Sequence, residues 1–305
     1  MENQTIFYFY LSGFSDLAIF QIHLFVIFLL VYVMTMFGNF LILHLICTDS
    51  NLQTPMYFFL GNLAFLDMCC SSVSAPRLLF DLCSKRKVIS RASCTVQIYF
   101  FIFFTTSEVL LLAVMSCDRY FAICRPLHYF QVMNLRACTE LALGSWTFGL
   151  VYSLMHTLCT LRLSFCNSNT IHNFICDISH LFQLSCTDTF LNILIIFLFG
   201  GLLGITSLII TLVPYIRIFT TVAKLKAKKS KIKAFSTCTS HLTVVFIFYG
   251  TLVFNFFRPN TTYRFSEDRV ITIIYTLVTP LLNPLIYSLR NQELQAALSK
   301  ALHKL

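Results

Sequence analysis

Seven long apolar runs, separated by short polar connections, dominate the pattern of hydrophobic and polar positions along the chain. A helix needs about 20 apolar residues to cross the hydrocarbon core of a bilayer, and each run reaches that length. The pattern therefore predicts seven membrane-spanning helices at about residues 22–47, 56–79, 91–124, 137–160, 190–219, 232–257 and 270–289.

The two ends of the chain have different patterns. Residues 1–21 are polar and aromatic, whereas the tail has apolar side chains at positions 294, 297, 298, 301, 302 and 305. This helical spacing is typical of a short amphipathic helix lying along a membrane surface. We expect one all-α membrane domain over residues 1–305, with an N-terminal segment at 1–21, a seven-helix bundle over 22–290 and a tail over 291–305.

Composition supports lipid as the solvent. Of the 305 residues, 57% are hydrophobic and 11% are charged, whereas soluble domains carry about 25% charged residues. The net charge of +9 does not indicate a nucleic-acid partner, because the basic residues lie between apolar runs and form no continuous face. The first apolar run is too long for the core of a signal peptide, so we expect it to remain as a helix.

The positions of the basic residues predict the orientation. The linker after the fifth run has seven cations and no acid over residues 217–233, and such segments usually stay in the cytoplasm. We therefore expect a cytoplasmic C-terminus, an extracellular N-terminus and a multi-pass protein of the plasma membrane. One connection disagrees, since this scheme puts the cations Lys85, Arg86, Lys87 and Arg91 outside.

The third predicted helix carries functional candidates at both ends. Its 25 steps from Cys94 to Arg119 cover about 37 Å, slightly more than the hydrocarbon thickness. Cys94, Phe101, Glu108 and Arg119 fall on one side of the helical wheel. We expect that side to face the bundle, because Glu108 is too costly to expose to lipid.

Polar side chains inside the predicted spans form a second set of candidates. Asp67 and Glu108, with Asn39 and Asn283 at similar depth, predict an intramembrane polar cluster. Two carboxylates in a low-dielectric region must share a proton or hold a cation, unless they serve only to bind helices together.

Four cysteines lie on the expected outer side, Cys94, Cys166, Cys176 and Cys186, and their three possible pairings are not distinguished by sequence.

Five sequence motifs occur in order on the predicted helices. They are PMYFFLGNLAFLD at 55–67, MSCDRYFAICRPLHY at 115–129, KAFSTCTSHL at 233–242, FYGT at 248–251 and PLLNPLIYSLRN at 280–291. Together they resemble the rhodopsin-like G-protein-coupled receptors, and specifically the olfactory receptor subfamily. The chain departs from the family pattern at Gly61, Cys117 and Pro214, where that family usually has Ser, Tyr and Ser.

The resemblance implies roles for several of these residues. It pairs Cys94 with Cys176 and Cys166 with Cys186, and it implies a sodium ion at Asp67 joined by Glu108, with no other cofactor. It also implies that Asp118 holds Arg119 in the inactive state, and that Arg119 contacts a stimulatory G protein after the sixth helix moves outward. The other expected switch residues are Tyr120, Tyr215, His241, Asn283, Pro284 and Tyr287.

Wheel geometry and the resemblance together predict a ligand pocket in the outer half of the bundle. Its apolar lining, and the absence of an acid at the level of Phe101, favour a small, neutral, volatile odorant. The candidate lining residues are Phe101, Ile102, Thr105, Thr106, Phe199, Leu203, Tyr249, Leu252, Asn255, Ile273 and Thr276.

Asn3-Gln-Thr5 is an N-glycosylation acceptor if the N-terminus is outside, and Asn260-Thr-Thr262 is a second one.

Three other functions remain as alternatives. A rhodopsin-like receptor for a non-odorant molecule has the same motifs, and a transporter or channel would explain the acids inside the membrane. The chain lacks the paired broken helices and inverted repeats that many transporters have. A membrane enzyme is not favoured, because the sequence contains no zinc, phosphate-loop or nucleophile-elbow motif. We expect a receptor without enzymatic activity.

Overall fold

The computed structural model of the chain describes residues 6–166, 168–224, 228–256 and 265–303. In these residues the chain forms a bundle of seven long helices, as the apolar runs predict. They are α1 (Gln21–Thr48), α2 (Pro55–Cys83), α3 (Arg91–Cys124), α4 (Leu135–Leu161), α5 (Phe190–Lys224), α6 (Lys228–Phe256) and α7, which runs over Phe265–Ile273, Ile274–Val278 and Thr279–Arg290.

Length and composition identify most of these helices as membrane spans. Among the described residues, α1, α2, α3, α5 and the part of α7 over Glu267–Ser288 are long and apolar enough to cross a bilayer. α4 has 27 residues, about 40 Å, but it is less apolar, as its sequence predicts. In α6 the stretch whose side chains the structure describes, Cys238–Leu252, is also apolar. The protein is thus a multi-pass helical membrane protein.

The arrangement of the helices places α3 at the centre. It packs against α2, α4, α5 and α6, while α1 packs against α2 and α7. Most side chains of α5 lie on the outside of the bundle, since only 11% of the residues in its apolar window are buried. Large exposed side chains such as Phe37 and Phe246 are expected where lipid replaces water around the bundle.

Two helices contain a π-helical turn that the sequence pattern does not predict. One lies at Ile196–Gly200 in α5 and the other at Ile274–Val278 in α7. A π turn inserts one extra residue into the helical repeat. Side chains on either side of it therefore lie about 100° away from the positions that a continuous wheel gives them.

A small sheet covers the Cys94 end of the bundle, as we call the end opposite Arg119. Its strands are β1 (Tyr8–Leu11), β2 (Val88–Ser90) and β3 (Thr170–Ile171). β1 is central, antiparallel to β2 and parallel to β3. We call this the crown sheet. The sheet includes part of the N-terminal segment 1–21, and Phe9 and Leu11 of β1 are buried.

The tail forms the amphipathic helix that its periodicity predicts, α8 (Gln292–Leu302). Leu294 and Ala297 are buried and belong to the same apolar cluster as Leu52 and Tyr57. Part of the apolar face of α8 therefore packs against the connection between α1 and α2 at the Arg119 end.

Candidate functional site

The Arg119 end of α3 carries a buried ion pair. Arg119 Nε donates to Asp118 Oδ2 at 3.0 Å, and Arg119 Nη2 also contacts that oxygen. Asp118 is fully buried. The two adjacent residues thus hold each other at the end of the helix, in the arrangement that the resemblance implies for an inactive receptor.

A tyrosine from the next connection also holds Asp118. The hydroxyl of Tyr129, in the short helix Tyr129–Val132, donates to Asp118 Oδ1 at 2.8 Å. Burial raises the pKa of Tyr129, and the negative charge of Asp118 raises it further, so the hydroxyl remains a donor. Tyr129 ends the motif at 115–129, but nothing in the sequence pattern assigns it a role.

The Arg119 end contains a second polar contact, between α5 and α6. Tyr215 Oη and His241 Nδ1 are 2.8 Å apart, and their rings stack with centroids 5.7 Å apart. Tyr120 packs against the apolar cluster that contains Tyr215. Three predicted switch residues are therefore neighbours, although they come from three different helices.

A cavity lies between His241 of α6 and Tyr287 of α7. Within the described part of the chain, neither His241 Nε2 nor the hydroxyl of Tyr287 has a hydrogen-bond partner, although both residues are buried. The cavity is lined by Met56, Leu60, Met115, Arg119, Ser240, His241, Tyr287 and Asn291. Side chains of α2, α3, α6 and α7 therefore surround Arg119, with Asn291 just beyond the end of α7.

The predicted intramembrane cluster is only partly assembled as expected. Asn283 Nδ2 donates to both carboxylate oxygens of Asp67, at 2.9 and 3.0 Å. Glu108 is close enough to Asp67 to interact with it electrostatically, and both acids are buried. In the described residues, Glu108 Oε1 and Asn283 Oδ1 have no hydrogen-bond partner. Buried polar atoms usually have one, so this cluster has unused oxygen ligands.

Asn39 has different neighbours from those predicted. Its Nδ2 donates to the carbonyl oxygens of Thr35 and Pro280, both at 3.0 Å. Gly38 lies beside Pro284, and an added Cβ would be 3.3 Å from Pro284 Cγ. Asn39 and Pro284 thus belong to the close contact between α1 and α7, and the hydrogen bonds of Asn39 do not join it to the acids.

In the half of the bundle nearer Cys94, some predicted pocket residues lie close to other helices. Phe101 contacts Tyr275 of α7, with ring centroids 5.3 Å apart. Tyr249 of α6 is buried and its hydroxyl is 3.4 Å from Thr211 Oγ1 of α5. Three predicted threonines are at least partly buried, Thr105, Thr106 and Thr276.

The apolar residues of the predicted pocket do not form one group in the structure. Ile102, Leu252 and Ile273 pack against three different hydrophobic clusters. Leu203 is partly buried, whereas Phe199 is 46% exposed. The structure therefore corrects the placement of Phe199, which lies on the outer surface of the bundle within the π turn of α5.

Both disulfides implied by the resemblance are present. Cys94 is bonded to Cys176 and Cys166 to Cys186, with Cα atoms 5.5 and 5.9 Å apart. Next to the first bond, Gln97 accepts the backbone N–H of Cys176 at 3.0 Å and donates to the carbonyl of Val73 at 3.0 Å. Gln97 was missed, although it lies within one turn of Cys94 on α3.

Three predicted features lie outside the described residues. They are the glycosylation candidates Asn3 and Asn260 and the side chain of Asn255 in the pocket set.

Comparisons with known proteins agree with the motifs. A family model described as "Olfactory receptor" matches residues 28–304. The chain is 46% identical to olfactory receptor 1G1 of Gorilla gorilla gorilla over 292 residues, covering 96% of this chain and 93% of that protein. It is 46% identical to olfactory receptor 1C1 of Homo sapiens over 296 residues, 97% of this chain and 94% of that one.

A bird protein shows similar agreement. Olfactory receptor-like protein COR4 of Gallus gallus is 44% identical over 294 residues, which cover 96% of this chain and 94% of that protein.

Proposed function

The chain belongs to the olfactory receptor family, and from that membership we propose that it detects a small volatile odorant and activates a stimulatory G protein. The family consists of G-protein-coupled receptors, which are not enzymes. Activation of the G protein raises cyclic AMP. The receptor lies in the plasma membrane with its N-terminus outside and its C-terminus in the cytoplasm.

The observation that supports this proposal most directly is the arrangement around Arg119. The guanidinium of Arg119 is paired with Asp118. Arg119 lines a cavity together with His241 of α6 and Tyr287 of α7. Outward movement of α6 would enlarge this cavity and expose Arg119 to a partner. The cavity therefore suits a site that is closed at rest and opens toward a G protein.

The odorant would bind in the half of the bundle nearer Cys94. Phe101, Tyr249 and the three threonines supply an apolar lining with a few hydroxyl groups. Such a lining suits a neutral molecule with at most one or two polar atoms. The odorant shifts the equilibrium toward the open form only through its greater affinity for that form.

A sodium ion between α2, α3 and α7 is part of the proposal. The carboxylates of Asp67 and Glu108, with Asn283 Oδ1, would hold it, and the unpartnered oxygens of Glu108 and Asn283 fit a hard cation that prefers oxygen ligands. The ion would offset one negative charge of the two buried carboxylates and so stabilise the closed bundle. Replacing NaCl with N-methylglucamine chloride should raise odorant potency, and Glu108→Gln should remove that salt dependence; equal dependence in both proteins would exclude the site.

The experiment that tests the proposal replaces Arg119 with Ala. Cells expressing the receptor are screened with volatile compounds for cyclic AMP, and an active compound is then applied to the variant. We expect the response to disappear at unchanged surface expression, because the contact with the G protein is lost. Arg136→Ala is the control, since Arg136 is 88% exposed and pairs only with the exposed Glu140 among the ion pairs of the described residues. A full response from the Arg119 variant would refute the assigned role.

A further inference from the structure

The attachment of α8 to the bundle uses residues that the proposed function has not yet explained. Near the end of α8, Lys300 Nζ lies 3.3 Å from Asp49 Oδ2, just after α1. Leu294 and Ala297 are buried against the apolar cluster of the bundle. α8 is thus held along its length by a salt bridge and by apolar packing.

At the N-terminal end of α8, a buried hydroxyl of the bundle donates to two side chains. Tyr57 of α2 is 1% exposed, and its Oη lies 3.0 Å from Asn291 Oδ1 and 2.8 Å from Glu293 Oε2. A hydroxyl has one proton, which these two acceptors share or exchange. The charged carboxylate of Glu293 makes this a stronger interaction than a bond between neutral groups.

Asn291 has two further roles in the same place. Its Oδ1 accepts the backbone N–H groups of Glu293 and Leu294 at 3.0 and 3.3 Å, which caps α8. Its side chain also lines the cavity beside Arg119 and Tyr287. The residue that begins α8 therefore forms part of the cavity wall.

These contacts form a continuous path from α2 to the cavity. Tyr57 is next to Met56 in the sequence, and Met56 lines the cavity together with Asn291. Tyr57 thus fixes the junction of α7 and α8 relative to α2. We call Tyr57, Asn291 and Glu293 the Tyr57 network.

We propose that Tyr57 is a positioning residue for coupling: its hydroxyl docks the start of α8 and thereby fixes Asn291 at the wall of the Arg119 cavity. This inference rests on the proposed function, because it assigns Tyr57 to the face that activates the G protein. Loss of the hydroxyl lets the junction of α7 and α8 open locally. The bound G protein then meets a less ordered surface, while the odorant pocket at the other end is unaffected.

The test uses Tyr57→Phe, which retains the buried ring and removes only the hydroxyl. Hydrogen–deuterium exchange of the purified receptor should show faster exchange in residues 292–303, by roughly tenfold, the factor expected for one lost hydrogen bond to a charged group. In cells, the maximal cyclic AMP response should fall by about twofold or more, with half-maximal odorant concentration and surface expression unchanged. That split distinguishes positioning from general destabilisation, which would lower surface expression.

Two further variants complete the experiment. Tyr99→Phe is the matched control, since Tyr99 makes ring contacts with Phe100 and Phe103 and its hydroxyl has no hydrogen bond to the described residues. Glu293→Ala, at an exposed position, removes the charged acceptor and should reproduce both effects if Tyr57→Phe fails to reach the surface.

The outcomes separate the two proposals. Unchanged exchange in residues 292–303 would overturn the docking role, and faster exchange with an unchanged maximal response would overturn the positioning role. If Arg119→Ala retains full signalling, the proposed function fails, whereas the exchange result still decides whether Tyr57 docks α8. Faster exchange with a reduced maximum, absent in Tyr99→Phe, supports the inference.

Discussion

At the residue scale, the contacts of Asp118 predict the effect of removing its second partner. The carboxylate receives donors from Arg119 and from Tyr129, and Tyr129→Phe would leave Oδ1 buried and short of a donor. Such a loss costs about 1–3 kcal/mol. The cost falls mainly on the closed state, so the open state becomes more populated.

We therefore expect Tyr129→Phe to raise cyclic AMP in the absence of odorant, normalised to surface expression, by about fivefold or more, since about 1 kcal/mol shifts the equilibrium about fivefold. Gln131→Ala is the control, because Gln131 lies in the same short helix, is exposed, and its side chain has no hydrogen bond to the described residues. A resting signal equal to that of the parent would mean that Tyr129 does not stabilise the closed state.

The position of a polar side chain could be predicted from sequence only when its hydrogen-bond partner was another recognisable side chain. Asp67 and Asn283 could be placed together, because a buried acid in lipid needs a donor at its own depth. Asn39 lies at a similar depth, but its amide is satisfied by the carbonyl of Pro280, and backbone acceptors are invisible in a sequence pattern. Tyr57 and Tyr129 were missed for a related reason, since their partners come from distant segments.

At the scale of elements, length and hydropathy were sufficient for the seven helices but not for their internal geometry. The π turn at Ile196–Gly200 interrupts the wheel from which Phe199 was assigned to the pocket, and Phe199 faces outward. The crown sheet was missed because its strands have only four, three and two residues. Strands this short have no recognisable alternation and form only when distant segments meet.

The contact between α3 and α4 leads to an element-scale prediction. A Cβ added at Gly149 would be 2.9 Å from the carbonyl oxygen of Phe103 and would overlap Ser107 Oγ. Gly149→Leu should therefore force the two helices apart, at a cost of about 1–3 kcal/mol or more. We expect reduced surface expression and a lower melting temperature of the purified receptor.

A second glycine of α4 provides the matched control. Gly144 has nothing within 4 Å of an added Cβ, so Gly144→Leu should be tolerated because the new side chain would face lipid. Equal loss of expression in the two variants would show that helix propensity or insertion, and not packing against α3, is responsible.

At the scale of the whole molecule, local contacts at the Cys94 end explain two of the four cations that disagreed with the predicted orientation, Lys87 and Arg91. Arg91 donates to the carbonyls of Leu161 and Leu163 at 3.0 and 2.8 Å, and Lys87 is buried with its Nζ 3.3 Å from Ser15 Oγ. These side chains stabilise the Cys94 end by local contacts. A cation that makes such contacts has a structural reason to lie at the Cys94 end, independent of the tendency of basic loops to stay in the cytoplasm.

The cations at the end of α5 make no such contacts in the described residues: Arg217 and Lys224 are exposed, and the linker that follows contains no acid. We therefore weigh the linker more heavily and expect the Arg119 end to face the cytoplasm.

A peptide epitope inserted at residues 225–227 should bind antibody only after cells are permeabilised, whereas an epitope before Met1 should bind on intact cells. The two disulfides at the Cys94 end fit the same orientation, since they form in the secretory lumen and persist outside the cell. Antibody binding to the 225–227 epitope on intact cells would invert the bundle and place Arg119 out of reach of any G protein.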